Sequence, residues 1–262
     1  IFVFNVTGFT VYSSEETPTE AGPSGAPGGS GGGGGAGGGE AGIRISNFAV
    51  DKNIIKLSLL PGETKREFIE IENTGETTLI LTIDLEGLEQ FLIFPGGVST
   101  YNLRLEPGNK EQIQLIFNVD SEQESGVYPG KIIISSPTIK KIITTVVEVE
   151  SPKRIFDIAI RLTRSTVYAG DTLDAEISIF NLGILVGRVD TQVEFGIKDL
   201  TGKIITKDET RLAVETKAIF VETVKIPSYL ESDIYVFYTI VTFEGEKGTA
   251  SEVLEIIPKP EE

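Results

Sequence analysis

From residue 54 onward the chain alternates apolar and polar positions in short runs, with turn residues every 8 to 12 positions. The first block contains IIKLSL (54–59), FIEIEN (68–73), TLILTIDL (78–85), YNLRLE (101–106), QIQLIFNV (112–119), KIIIS (131–135) and KIITTVVEVE (141–150). In two runs the period can be tested directly. Phe68, Ile69 and Ile71 alternate with Glu67, Glu70 and Glu72 apart from one slip, and Leu103 and Leu105 alternate with Asn102, Arg104 and Glu106. A period of two with β-branched and aromatic residues predicts strands that bury one face and wet the other. Pro61-Gly62, Asn73-Thr74-Gly75, Pro95-Gly96-Gly97, Pro107-Gly108-Asn109 and Pro129-Gly130 separate the runs and predict turns.

A second block has the same pattern, with FDIAIRL (156–162), LDAEISIFN (173–181), RVDTQVEFGIKD (188–199), KIITKDETRL (203–212), AIFVETVKI (218–226), IYVFYTIVTF (234–243) and ASEVLEII (250–257). Asp199-Leu200-Thr201-Gly202 predicts a tight hairpin turn with Gly202 left-handed. Residues 211–224 have a composition that also suits a short helix, but their apolar positions do not settle on a 3.6-residue stripe, so they are expected to be strand.

The blocks are copies. PGETKREFIEIENTG (61–75) aligns without gaps on AGDTLDAEISIFNLG (169–183), matching Gly62 with Gly170, Ile69 and Ile71 with Ile177 and Ile179, Asn73 with Asn181 and Gly75 with Gly183. Each copy reads as a turn, a half-buried strand and an Asn-x-Gly turn that needs left-handed backbone. The fold class expected is all-β: two tandem Ig-like β-sandwich domains, 43–150 and 151–262, preceded by a Gly-rich linker and an N-terminal strand. The short hinge near Ser151-Pro152 predicts a stiff pair rather than two loosely tethered beads.

The Pro-Gly-Glu-Thr turn, the strand ending in Asn-Thr-Gly and the Val127-to-Lys131 entry VYPGK resemble the immunoglobulin-like, CARDB-type domains of archaeal and bacterial cell-surface proteins. The resemblance covers 43–257. It implies a seven-stranded Greek-key sandwich and a surface location, and it transfers no catalytic residue.

Ahead of the blocks the pattern changes twice. Thirteen of the twenty-one residues from Gly22 to Gly42 are glycine, so 13–42 buries too little to offset its chain entropy and reads as a flexible linker. Its random-coil span is on the order of 30 Å and its extended reach roughly 100 Å. Before it, residues 1–12, IFVFNVTGFTVY, form the most apolar tip of the chain. Read as a flat strand the segment splits its large side chains between faces. One β-bulge at Thr7-Gly8 places Phe2, Phe4, Val6, Phe9 and Val11 on one face, with Asn5, Thr7, Thr10 and Tyr12 opposite. Burying those five side chains contributes about 8–15 kcal/mol before entropy, and leaving them in water invites aggregation. Asn5-Val6-Thr7 is the single glycosylation sequon, and its Asn5 falls on the outward face.

Composition then removes most chemistry. Among 262 residues there is no His, Cys, Met or Trp, which excludes Ser-His-Asp and Cys-His nucleophile systems, His-based zinc sites and disulfides. The thirty-nine Asp and Glu leave glycosidase-type carboxylate pairs available, yet they are spread over turns and wet strand faces. The glycine tract lacks the Lys-Ser/Thr ending and the strand–helix context of a phosphate loop. Acidic turns at Asp171, Asp120-Ser121-Glu122 and Asp233 have no EF-hand spacing, so calcium there would rest on charge alone. No catalytic residue, cofactor site or metal site is assigned, and the expectation is a protein without enzymatic activity. A net charge of −16 argues against nucleic acid, and no small-molecule substrate is indicated. No apolar run reaches eighteen residues. A chain opening on Ile1 rather than Met reads as processed or cut.

The expectation for function is therefore an extracellular, cell-surface filament subunit that polymerises with itself through Phe2, Phe4, Val6, Phe9 and Val11, its other partners being cell-surface proteins or glycans. The alternative is a monomeric or pilin-anchored stalk or adhesion protein, in which the tip folds back or is the remnant of a leader or apolar helix.

Overall fold

The computed structural model describes residues 45–183 and 187–259. Every regular element among them is a strand: β1 (Phe48–Val50), β2 (Ile54–Leu59), β3 (Thr64–Asn73), β4 (Leu79–Glu86), β5 (Leu92–Ile93), β6 (Tyr101–Leu105), β7 (Lys110–Asn118), β8 (Gly126–Ser135), β9 (Lys140–Val149), β10 (Phe156–Leu162), β11 (Thr166–Tyr168), β12 (Thr172–Asn181), β13 (Val189–Asp199), β14 (Ile204–Val214), β15 (Lys217–Lys225), β16 (Asp233–Phe243) and β17 (Glu246–Ile257).

They form two β-sandwiches of one topology. In the first, a sheet ordered β1-β3-β7-β5 faces one ordered β2-β9-β8-β4-β6; in the second, β10-β12-β15 faces β11-β17-β16-β13-β14. β2 runs parallel to β9 and β11 parallel to β17, whereas the other pairs are antiparallel. Each sandwich has its own core. Phe48, Leu59, Ile69, Ile71, Leu81, Phe91, Phe94 and Phe117 sit in the first, and Leu173, Ile177, Ile179, Val193, Phe237, Leu254 and Ile256 in the second. The slip in the alternation of β3 resolves simply: Ile69 and Ile71 are fully buried and Phe68 faces outward.

The repeat recurs in its turn and Asn-x-Gly bonds. Gly62 and Gly170 both have positive φ, and their N–H groups donate to Val119 O and Ile226 O at 2.9 and 3.1 Å. Asn73 and Asn181 each accept from the glycine two residues on, at 3.0 and 3.1 Å. The Asn73 amide also donates to Thr77 O and Leu105 O, both at 2.8 Å, and the Asn181 amide to Glu215 O at 2.8 Å. Asn73 is completely buried, so replacing it orphans the buried Leu105 carbonyl and leaves the part-buried Thr77 carbonyl to find water, whereas Asn181 lies nearer solvent. Asn73→Ala is expected to cost about 2–4 kcal/mol and Asn181→Ala about 1 kcal/mol or less, a difference that urea-unfolding midpoints will resolve.

Three expectations need correction. The seven-stranded sandwich is nine strands in the first copy and eight in the second, because β1, β5 and β11 have only two or three residues and carry no measurable period. Pro129-Gly130 is no turn: both lie inside β8, paired with Val146 and Thr145 of β9. On the other side of β8 the pairing with β4 starts only at Lys131, so no partner there requires the missing proline N–H. Gly75, unlike Gly183, does not have positive φ; an added Cβ there would lie 2.6 Å from both Asn47 N and Ile45 O, so glycine serves close approach instead. Residues 211–224 are extended, as the end of β14 and most of β15 around a short bend.

Candidate functional site

Phe2, Phe4, Val6, Phe9, Val11 and the sequon residue Asn5 lie outside the described residues. The acidic turns are described, and the structure does not bring them together. Asp171 is 3.7 Å from Arg164, Asp120 accepts from Glu122 N at 2.8 Å, and Asp233 accepts from Ile234 N at 2.8 Å while lying 3.7 Å from Lys131. Each carboxylate serves its own turn or a neighbouring cation. No group of three or more Asp or Glu among the described residues could hold a metal ion.

Two surfaces carry the organisation of the molecule. The first is the junction between sandwiches, where the outer faces of the two five-stranded sheets meet. Val127 of β8 and Val146 of β9 pack with Leu200 and with Val236 and Tyr238 of β16, supported by Ile234, Ile240 and Val253. This explains why β16 alternates so poorly in sequence: Tyr235, Phe237 and Val241 fill the second core while Val236 and Tyr238 fill the junction, and a strand buried on both faces reads as a continuous apolar run. Gly87, with φ +75, lets the first sandwich approach Leu200, whose carbonyl would sit 3.2 Å from an added Cβ.

Polar groups fix the junction's register. Lys198 donates to Val127 O at 2.8 Å and stands 4.8 Å from the Tyr238 ring centroid; burial lowers its ammonium pKa. The Tyr238 hydroxyl donates to Glu194 at 3.0 Å. Desolvation first, and the Glu194 charge second, push that hydroxyl's pKa well above the usual tyrosine range. Ser151, in the connection between sandwiches, accepts from Lys247 N at 2.6 Å and donates its own N–H to Lys247 O at 3.1 Å. Near it, Glu148 of β9 is buried, accepts from Ser251 Oγ at 2.6 Å and lies 3.4 Å from Lys56, while Lys56 also donates to Ser251 O.

Burial raises the Glu148 carboxyl pKa, and Lys56 and Ser251 offset this only in part. A carboxyl whose folded pKa exceeds its unfolded one contributes most below the unfolded value of about 4.5 and loses that contribution as pH rises through the folded value. Glu148→Gln removes this proton linkage. Its melting temperature is expected to equal or exceed wild type at pH 7, and wild type is expected to gain relative to the variant on acidification until the difference flattens near the unfolded pKa. Thermal melts at half-unit pH steps check this.

The second surface is the edge formed by β15. In the first sandwich, fourteen residues between β4 and β6 carry Leu88, Phe91, Leu92 and Phe94, all fully or almost fully buried, into the side of the sandwich, and β5 pairs with β7 at Leu92–Phe117 and Ile93–Ile116. In the second sandwich the corresponding connection is the turn 200–203, with Gly202 at φ +85 and its N–H donating to Asp199 O at 3.0 Å. No strand among the described residues pairs with β15 on the side away from β12. Ile219 and Val221, on its outer face, are 52% and 60% exposed.

No known family model matches the chain, and no curated protein sequence matches it. Solved structures resemble it weakly. A family 123 glycoside hydrolase from Clostridium perfringens is 9% identical over 40% of this chain, TM-score 0.31, and the chain spans about a quarter (27%) of that enzyme. A Porphyromonas gingivalis W83 protein of unknown function is 13% identical, TM-score 0.41, over 80% of this chain and 97% of its own. A CARDB domain from Pyrococcus furiosus, solved with di-metal ions, is 14% identical, TM-score 0.29, over 39% of this chain and 87% of its own.

Proposed function

We propose that this chain is the structural, non-enzymatic subunit of an extracellular cell-surface filament, in which residues 1–12 of one copy seat as a strand in a neighbouring copy. The observation that carries the reading is the pairing of an apolar segment, which a single bulge at Gly8 would make one-faced, with a thirty-residue glycine-rich tether, ahead of two sandwiches whose cores are built from residues 48–256. A strand meant for its own domain rarely needs so long a tether, and head-to-tail exchange between identical copies runs on without closing. The interlocked junction suits a load-bearing subunit, because force along the chain is met by packed sheets as well as by the connection at 150–155. The sequon at Asn5 and the CARDB-like turn motifs support an extracellular setting, with self-association as the main partnership and cell-surface proteins or glycans as further partners.

Sedimentation velocity of the full chain over a hundredfold concentration range tests this. A concentration-dependent ladder of species supports the reading. A single monomer at every concentration overturns it.

A further inference from the structure

We infer that the open side of the second sandwich, along β15, is the acceptor for residues 1–12 of a second copy, which there take the place that residues 88–94 occupy in the first sandwich. The inference rests on the filament reading above and adds the location of the acceptor.

The two copies of one fold can be compared position by position. Register through β3 and β12 equates Ile113, Leu115 and Phe117 of β7 with Phe220, Glu222 and Val224 of β15. In the first sandwich all three are buried, covered by the plug of Leu88, Phe91, Leu92 and Phe94. In the second, where a four-residue turn replaces the plug, Phe220 and Glu222 are only half-buried, and so are Ile205 and Leu212 of the neighbouring β14. The second sandwich thus lacks four apolar side chains and a short strand that its twin possesses.

The tip of the chain supplies that chemistry. It offers five apolar side chains on one face once Gly8 is bulged, and an uncharged strand for the N–H and C=O groups that every second residue of β15 turns away from β12. Natural edges of nine residues are normally shortened, charged or covered. Here lysines stand only at the ends, Lys217 and Lys225, and Ile219 and Val221 lie between them. Glu222 interrupts the inward row, but a half-buried carboxylate on a flexible stem reaches solvent beside an added strand.

The test is hydrogen exchange of the full chain, read at β15 amides in the assembled and dissociated states, together with Phe220→Ser in the full chain. The expected result is exchange at 217–225 slowed by about tenfold or more on assembly, and association weakened at least about tenfold by Phe220→Ser. Unchanged β15 exchange in assemblies that still require residues 1–12 overturns the acceptor but leaves the filament reading standing. Protection of β15 in a chain that stays monomeric shows the chain's own tip seated there and overturns exchange between copies. Assembly that persists without residues 1–12 overturns both. Should Phe220→Ser fail to fold, the exchange measurement on the natural chain decides alone.

Discussion

Tyr238→Ala is expected to unlock the two sandwiches while leaving each of them folded. Tyr238 is the largest fully buried side chain of the described residues and sits on the junction face of β16, not in the second core. Truncation removes the ring that Val127, Val146, Leu200 and Val236 enclose, and such a cavity costs about 3–5 kcal/mol. It also withdraws the ring over which Lys198 stands and the hydroxyl held by Glu194. Limited trypsin digestion reads the outcome, since Lys153 and Arg154 lie in the connection between sandwiches. Cleavage there is expected to accelerate strongly in Tyr238→Ala. Tyr238→Phe keeps the packing and gives up one hydrogen bond worth about 1 kcal/mol, so it should digest nearly as slowly as wild type. Equal digestion of all three proteins would mean that the junction does not hold the sandwiches together.

The second large effect concerns the tip. Phe4→Asp with Phe9→Asp is expected to reduce self-association at least about a thousandfold, because each buried Phe is worth about 1.5–3 kcal/mol and a charge placed in the apolar row adds desolvation. Both positions precede the residues of the two cores, so the thermal melt of the sandwiches should stay unchanged. Light scattering and a melting curve on the same sample separate the two effects.

Much of this organisation is legible in the sequence, and the parts that are not have physical reasons. Alternation at 68–72 and 101–106 identifies strands because one face is wet, and the 61–75/169–183 repeat identifies two sandwiches because the same turn and Asn-x-Gly bonds recur. The apolar run Ile234–Val241, interrupted only by Thr239, signals burial on both faces, but nothing within it says that the first sandwich covers Val236 and Tyr238. Glu148 and Lys56 are separated by ninety-two positions, and nothing local marks their meeting. Gly75 and Gly183 are identical in motif but differ in reason, one needed for close approach and the other for positive φ. The open side along β15 is visible only when the two copies are superposed in register, since it consists of a plug that the second sequence lacks.

In the proposed assembly residues 1–12 link one copy to the next. It is tested most directly by comparing the full chain with a chain starting at Gly42, at equal concentration, by electron microscopy and light scattering. Filaments or oligomers are expected from the full chain and monomers from the shortened one. If both remain monomers, or both assemble equally, strand donation through residues 1–12 is wrong.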